Sequence, residues 1–322
     1  MTHLLVAGKL HPAGEEMLEQ LKVDGVKVTY VEEVSEESYA PYIEDADALV
    51  IRTQPLSADT ISKAKNLKVV SRHGVGYDSV DLAALNERKI ALTIVGDVNS
   101  RSVAEHAMTQ LLSAAKFAVR ADSSVRNIGD WGWRNQLNQA EVFGKNLLIV
   151  GYGRIGRHLA KMALGFGMTV SAYDPYLEKL GWPEGDVKPV SDLKEALGWA
   201  DFISLHVPKG DKPFLGAPEF EWLKPGVVIS NTARGGVVCE SSLAEALKSG
   251  LVRAAGVDVL EAEPPLEASP LFAFENVVFS PHIAGLTNEC SERMALASID
   301  NALKFLDQSI APELVVNTQA LS

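Results

Sequence analysis

Cysteine is nearly absent from this chain, with two residues in 322, Cys239 and Cys290. Neither stands in a Cys-x-x-Cys pair, so the sequence carries no metal-ribbon or dithiol redox motif, and two ordinary thiols in a reducing compartment are expected. No run of about 18 apolar residues occurs, so no transmembrane helix is expected. A basic segment followed by a long apolar one is also missing at the amino terminus; residues 4–7 are a short strand-like run, no signal peptide is expected, and the cytoplasm is the expected location. Basic residues are in deficit, 30 against 42 acidic ones, for a net charge of −12. That deficit argues against nucleic acid or an anionic membrane as partner. It also requires that any anionic substrate be held by local positive charge. There is no repeat of fixed period and no low-complexity segment.

What the chain does have is enough apolar sequence, 47%, for two cores without staples. Short apolar runs alternate with helical patterns. One series of candidate strands covers residues 4–7, 26–31, 48–51, 69–71 and 90–94. A second covers 146–150, 169–173, 202–206, 227–231, 254–257 and 277–280. The spacers are mostly long enough for crossover helices, so the fold class expected is α/β, with parallel sheets covered on both faces. Between the series, residues 100–120 read as one long helix, with Ser100 or Ser102 as cap and Glu105 completing a capping box with Ser102. Residues 288–307 read as a final helix. The acidic residues Glu32, Glu33, Glu36, Glu37, Glu44, Asp45 and Asp47 read as a solvated helix face and its loop.

The run at 146–150 leads directly into Gly151-Tyr-Gly-Arg-Ile-Gly156 and then into a helical stretch. A strand before and a helix after are the context that a GxGxxG dinucleotide turn requires. Gly151 permits the tight turn, Gly153 admits a pyrophosphate, and Gly156 allows close packing of helix on strand. The helix start offers N–H groups and the positive dipole end to phosphate. Asp174 closes the next strand, 18 residues after Gly156, near the spacing for a carboxylate on the adenosine ribose. A carboxylate there repels a 2′-phosphate, and Pro175 and Tyr176 follow with no Arg, so NAD is expected over NADP.

Ligands of open parallel sheets bind at the carboxyl ends of strands. Three such ends in the second series carry polar groups: Arg234 after 227–231, Asp258, Glu261 and Glu263 after 254–257, and His282 after 277–280. Their chemistry is complementary. Arg234 can grip a carboxylate with two charge-assisted hydrogen bonds. His282 can give a proton to a keto oxygen or remove one from a hydroxyl. A carboxylate beside the His favours imidazolium, and Glu263 is the candidate. This set suits hydride exchange between a nicotinamide and the 2-carbon of a small 2-hydroxy or 2-keto acid.

With these residues in place, the chain resembles the D-isomer-specific 2-hydroxyacid dehydrogenase family over nearly its whole length, most of all phosphoglycerate dehydrogenases and hydroxypyruvate or glyoxylate reductases. The carriers are Ser71-Arg-His-Gly-Val-Gly-Tyr-Asp78, Ser102-Val-Ala-Glu-His106, the Gly151 motif, Asn231-Thr-Ala-Arg-Gly235, Gly256-Val-Asp-Val259 with Glu263-Pro264, and Ser280-Pro-His-Ile-Ala-Gly285. The resemblance implies two doubly wound domains: a discontinuous flavodoxin-like substrate domain, 1–99 plus 286–322, and a Rossmann NAD domain, 100–285. It implies Arg234, Glu263 and His282 as the catalytic set. Around the cofactor it implies Gly151, Gly153, Arg154, Ile155, Gly156, Asp174, Val207, Pro208, Thr232, Ala233, Asp258, His282 and Gly285, with Asp258 on the nicotinamide carboxamide. For the substrate it implies Arg52, the backbone at Gly74, Val75 and Gly76, and Arg234. It also implies a homodimer using the region of the long helix, and closure over the ligands.

Two departures bear on the substrate. Some phosphoglycerate dehydrogenases carry a second basic residue where this chain has Gln54, which weakens the case for a phosphorylated acid. No C-terminal regulatory extension is present in the sequence, so feedback by serine is not expected. Selectivity is expected from Arg52, Gln54, residues 73–78, 131–133 and 283–286. The segment 129–133, with its two tryptophans, reads as packing or interface in preference to a lid. Two other classes are open: a non-catalytic NAD(H)-sensing protein of the corepressor type, and a formate dehydrogenase, against which Glu263 argues because that group has Gln in its place.

Overall fold

The computed structural model describes residues 1–265 and 267–321. Five strands, β1 (His3–Ala7), β2 (Lys27–Val31), β3 (Ala48–Ile51), β4 (Val69–Arg72) and β5 (Ala91–Thr93), form a sheet in the order β2-β1-β3-β4-β5. Seven more form a second sheet: β6 (Asn146–Val150), β7 (Thr169–Tyr173), β8 (Lys188–Val190), β9 (Phe202–Leu205), β10 (Val227–Asn231), β11 (Val252–Val257) and β12 (Val277–Phe279). Their order is β12-β11-β10-β9-β6-β7-β8. Every strand pairing within both sheets is parallel. The chain divides into two compact units, Met1–Asn99 with Leu286–Ser322, and Ser100–Gly285. The first sheet has the flavodoxin-like order. The second has the doubly wound dinucleotide-binding order with one strand added at its edge.

The central strands lie between two apolar layers, which is why they read as continuous apolar runs. In the first unit Leu5, Ala7, Leu49 and Ile51 pack on one face, and Leu4, Val6, Ala48 and Val50 on the other. In the second, Leu148 and Val150 face one cluster, while Leu147 and Ile149 face the other. The Asn288–Leu306 helix buries Ala295, Ile299 and Ala302 against Leu4 and Val6. The Ser71 hydroxyl donates to its Ser298 carbonyl at 2.7 Å. This helix therefore belongs to the unit of the first ninety-nine residues.

Four sequence readings need correction. The strand β8 was not anticipated, because Lys188-Pro-Val190 is three residues long and carries a proline; Pro189 is tolerated because β8 is an edge strand. The long helix stops at Lys116. Phe117 takes a left-handed conformation (φ 51°), and a second helix runs Ala118–Arg126. The Phe117 ring packs on Trp133, with the Arg253 guanidinium over it, so tertiary contacts override the helical pattern. Ser102 is no cap: it lies inside the helix, buried, and its hydroxyl donates to the Ala284 carbonyl at 2.9 Å. The acidic stretch is not uniformly solvated either, since Glu36 accepts from the Ser57 N–H and hydroxyl and Asp47 from the His3 N–H.

Candidate active site

The cofactor cradle starts where β6 ends. Gly151 has φ +90°, and a Cβ there would lie 2.6 Å from the His206 carbonyl oxygen at the end of β9. This is the switch point of the sheet, between β6 and β9. A Cβ on Gly156 would meet the Gly151 oxygen at 2.4 Å, whereas the Cβ position of Gly153 is open space. The Arg154–Gly165 helix begins without a side-chain cap, so its first N–H groups face outward at an exposed turn. Ile155 packs inward and Arg154 is exposed. The Asp174 carboxylate does more than sequence reasoning assigned to it. It accepts from the Tyr176 and Leu177 N–H groups, capping the Pro175–Leu180 helix, and from the Tyr152 N–H at 2.9 Å, which ties it to the glycine turn. Thr232 is buried, and its hydroxyl has no hydrogen-bond partner among the described residues. An open glycine, an uncapped helix start and an orphaned hydroxyl are what a dinucleotide would use, so these residues fit NAD. Val207 and Ala233 line the same carboxyl edge, half-buried and buried, and Pro208 is exposed there.

Arg234, Glu263 and His282 follow β10, β11 and β12, three adjacent strands. His282 Nδ1 lies 2.6 Å from Glu263 Oε2. An ionised carboxylate only accepts, so Nδ1 carries the proton and Nε2 is left for a ligand. The hydrogen bond from Glu263 raises the His282 pKa; burial opposes the rise, the charges of Glu263 and Asp258 add to it, and Arg234 subtracts. Burial works to raise the Glu263 pKa, but the imidazole and the Leu260 N–H hold it below the usual carboxylate value. Arg234 is thus within electrostatic reach of both, and its Nη1 donates to the Ala233 carbonyl at 2.7 Å.

His282 sits in the left-handed region (φ 53°), a conformation that costs about 1–3 kcal/mol for a non-glycine residue. The surrounding bonds enforce it. Its N–H donates to the Asp258 carbonyl at 2.8 Å. The Asp258 carboxylate, 1% exposed, accepts the Ser280 hydroxyl at 2.5 Å, the Ile283 N–H at 3.0 Å and the Ala284 N–H at 3.0 Å. Asp258 is therefore first an anchor of the loop that carries His282 and ends at Gly285.

Sequence reasoning named Ser102 and His106 as parts of a motif but missed what they do behind this loop, and it missed Gln110. Ser102, His106 and Gln110 are spaced four apart, a polar stripe on one helix face. Ser102 bonds Ala284, His106 Nε2 meets Ser280 Oγ at 2.8 Å, and Gln110 donates to Ser280 Oγ at 3.2 Å while accepting from Ser230 at 2.9 Å. The i, i+4, i+8 spacing was the signal that could have found them.

In the first unit, Arg52 follows β3 and Gly74, Val75 and Gly76 follow β4, the neighbouring strand. Arg52 Nη1 donates to the Lys9 carbonyl at 2.8 Å, and burial lowers its pKa. The Val75 and Gly76 N–H groups take no backbone carbonyl among the described residues. Burial, and then the charges of Arg52 and Arg72, push the His73 pKa down to about 4, so this imidazole is neutral at pH 7. Gln54 is 1% exposed and donates to the Glu33 carbonyl at 2.9 Å, so it is part of the unit's interior. Of the tryptophan segment, Trp133 is buried beneath the Arg120 guanidinium and Trp131 is exposed.

The doubly wound sheet, its glycine turn at the switch point and the polar groups at three strand ends define an α/β dinucleotide-binding protein. Residues 108–284 match the NAD binding domain of the D-isomer specific 2-hydroxyacid dehydrogenases, and the chain belongs to that family. It is 36% identical over 318 residues to the D-3-phosphoglycerate dehydrogenase of Methanocaldococcus jannaschii, covering 98% of this chain and 59% of that protein. It is 37% identical over 282 residues to the hydroxypyruvate reductase of Thermotoga maritima, covering 85% and 90%. The crystal structure of the TT0316 protein from Thermus thermophilus superposes with a TM-score of 0.87 at 32% identity, covering 98% of this chain and all of that one. The chain spans little more than half the length of the phosphoglycerate dehydrogenases it matches, 59% for Methanocaldococcus jannaschii and 53% for Archaeoglobus fulgidus.

Proposed function

We propose that this protein is an NAD-dependent dehydrogenase acting on the CH–OH group of a small 2-hydroxy acid, or in reverse on the 2-keto acid. The reading is carried by the His282–Glu263 pair, 2.6 Å apart and beside Arg234, at the carboxyl edge of a dinucleotide-binding sheet. The nicotinamide supplies the hydride, or accepts it in the oxidative direction. Arg234 orients the substrate through its carboxylate and keto oxygen. His282, protonated at both nitrogens in the reductive direction, donates from Nε2 to the keto oxygen as it becomes alkoxide. Glu263 keeps the imidazole oriented and charged, and holds the Nδ1 proton once Nε2 has given up its own. The field of Arg234 opposes the imidazolium, which makes it a better acid. A non-catalytic NAD(H) sensor has no need of such an imidazole–carboxylate pair.

The Met1–Asn99, Leu286–Ser322 unit is the substrate-binding domain in this reading, contributing Arg52 and the bare backbone at Gly74, Val75 and Gly76, which suits an anion. The other unit binds NAD, with Asp174 on the adenosine ribose. Hydroxypyruvate, glyoxylate and 3-phosphoglycerate are the substrates suggested by the relatives' names. Gln54, standing where some phosphoglycerate dehydrogenases carry a second basic residue, weighs toward an unphosphorylated acid. Among the described residues no helix is long and apolar enough to cross a membrane, and two free thiols suit the reducing cytoplasm. A homodimer completes the proposal, because Val125, Ile128, Trp131 and Leu137 all stand exposed within one short segment.

Steady-state kinetics over a panel of 2-keto and 2-hydroxy acids tests the activity. NADH oxidation is expected with at least one 2-keto acid, and His282→Ala or Arg234→Ala should lower kcat by about 10²–10⁴-fold with folding retained. No turnover across the panel with either NAD(H) or NADP(H) would overturn the proposal.

A further inference from the structure

Glu263 lies on an exposed segment without regular structure, yet its carboxylate meets His282 at hydrogen-bond distance. The Leu260 N–H donates to Glu263 Oε1 at 2.8 Å, which fixes the carboxylate within the segment but not the segment itself. Two other glutamates do that. The Glu261 N–H donates to Glu240 Oε1 at 2.7 Å, and the Glu240 N–H donates to Glu261 Oε1 at 3.0 Å. Glu240 is the first residue of the Glu240–Ser249 helix. Its other oxygen accepts the Ser269 hydroxyl, so the segment is tied to this helix on both sides of Glu263. Beneath it, Gly235, the neighbour of Arg234, lies so close that a Cβ would sit 1.7 Å from the Leu260 oxygen.

Coulomb repulsion opposes bringing two carboxylates together. The contact is therefore not a by-product of charge attraction; it exists because each carboxylate takes the backbone N–H of the other residue. Charge-assisted bonds of this kind are the stronger class of hydrogen bond. They join the segment bearing Glu263 to a helix that starts six residues after Arg234.

We propose that Glu240 and Glu261 are positioning residues: their reciprocal backbone bonds hold the Glu263 carboxylate against Nδ1 of His282. This rests on the dehydrogenase reading for what His282 does, though not for where it is held. The charged groups acting on the imidazole are Glu263, Asp258 and Arg234. Loosening the segment withdraws the first of them and leaves the other two in place.

The test is an NMR pH titration of the His282 ring in the full chain, its resonance assigned as the one lost in His282→Gln, together with kcat/KM on the best 2-keto acid. In Glu261→Ala the His282 midpoint should fall toward the ordinary imidazole value of about 6.5. kcat/KM should fall by on the order of tenfold to a hundredfold. Glu261→Gln should keep both near wild type, because the amide oxygen still accepts the Glu240 N–H. Glu240→Ala breaks the clamp from the other side and should reproduce Glu261→Ala; it decides the matter if that variant does not fold. An unmoved midpoint in a folded Ala variant overturns the proposal, as does a Gln variant that falls as far as the Ala one. A wild-type protein without turnover refutes the dehydrogenase reading instead, and the titration still decides the clamp.

Discussion

A raised imidazole beside a lowered carboxylate confines the ion pair of His282 and Glu263 to a window of pH. The His282 contribution to stability is full below its unfolded value of about 6.5 and is lost as pH rises through the higher folded value. The Glu263 contribution is present above its ordinary value of 4.5 and is lost as pH falls through the lower folded one. In the proposed reduction the imidazolium is the working form, so kcat/KM should decline as pH rises through the raised His282 pKa. In Glu263→Gln that basic limb should move to lower pH, and a profile with an unmoved limb would break the assignment of the pair. Asp174 makes a second case at this scale. Its carboxylate braces the glycine turn at Tyr152, and in the proposed NAD site it would repel a 2′-phosphate. Asp174→Ala should lower the NADH to NADPH ratio of kcat/KM by at least about tenfold, the factor that about 1.4 kcal/mol represents. Activity with NADH should fall as well, because the turn loses a partner.

The Ser100–Lys116 helix acts as a rail under the loop that carries His282. One of its faces carries alanines and leucines into the core, and the seam of Ser102, His106 and Gln110 bonds the ends of β10 and β12. Gly256 is glycine because that helix lies against β11; a Cβ there would be 2.5 Å from the Gln110 Cβ. Gln110→Leu keeps the volume but leaves the Ser230 and Ser280 hydroxyls short of a partner. It should cost about 1–3 kcal/mol in urea unfolding and lower kcat more than it raises KM, since the His282 loop loses a support and the substrate does not lose a contact. A variant as stable as wild type would show that water replaces the amide. The break at Phe117 belongs to the same scale. Helical periodicity runs through residues 100–120, whereas the helix stops at Lys116, where Phe117 packs on Trp133 and Arg253.

For the molecule as a whole, the net charge of −12 keeps copies apart unless an apolar contact offsets it. Val125, Ile128, Trp131 and Leu137, each more than 60% exposed, are the contact proposed for a dimer. Sedimentation should show a dimer at micromolar concentration, and Val125→Asp with Ile128→Asp should give a monomer. A wild-type monomer would remove the proposed interface. Against this negative background the proposed anionic substrate requires locally placed cations, for which Arg234 and Arg52 are the candidates.

The strands, the glycine turn and the identity of the polar groups at the strand ends were legible in the sequence, because each is a local signal. A strand buried on both faces shows as a continuous apolar run, and a phosphate turn shows as glycines between strand and helix. Partnership was legible only in part: the sequence names Glu263 for the His282 ring, and the two meet at 2.6 Å. That Asp258 is tied up by two N–H groups, and that His106 reaches a residue 174 positions away, are contacts between distant segments. Nothing along the chain encodes those contacts one residue at a time. β8 and the break at Phe117 escaped for the same reason: an edge position and an aromatic contact exist only once the sheet and helices have packed, and there burial and hydrogen bonding outweigh the weak local propensities.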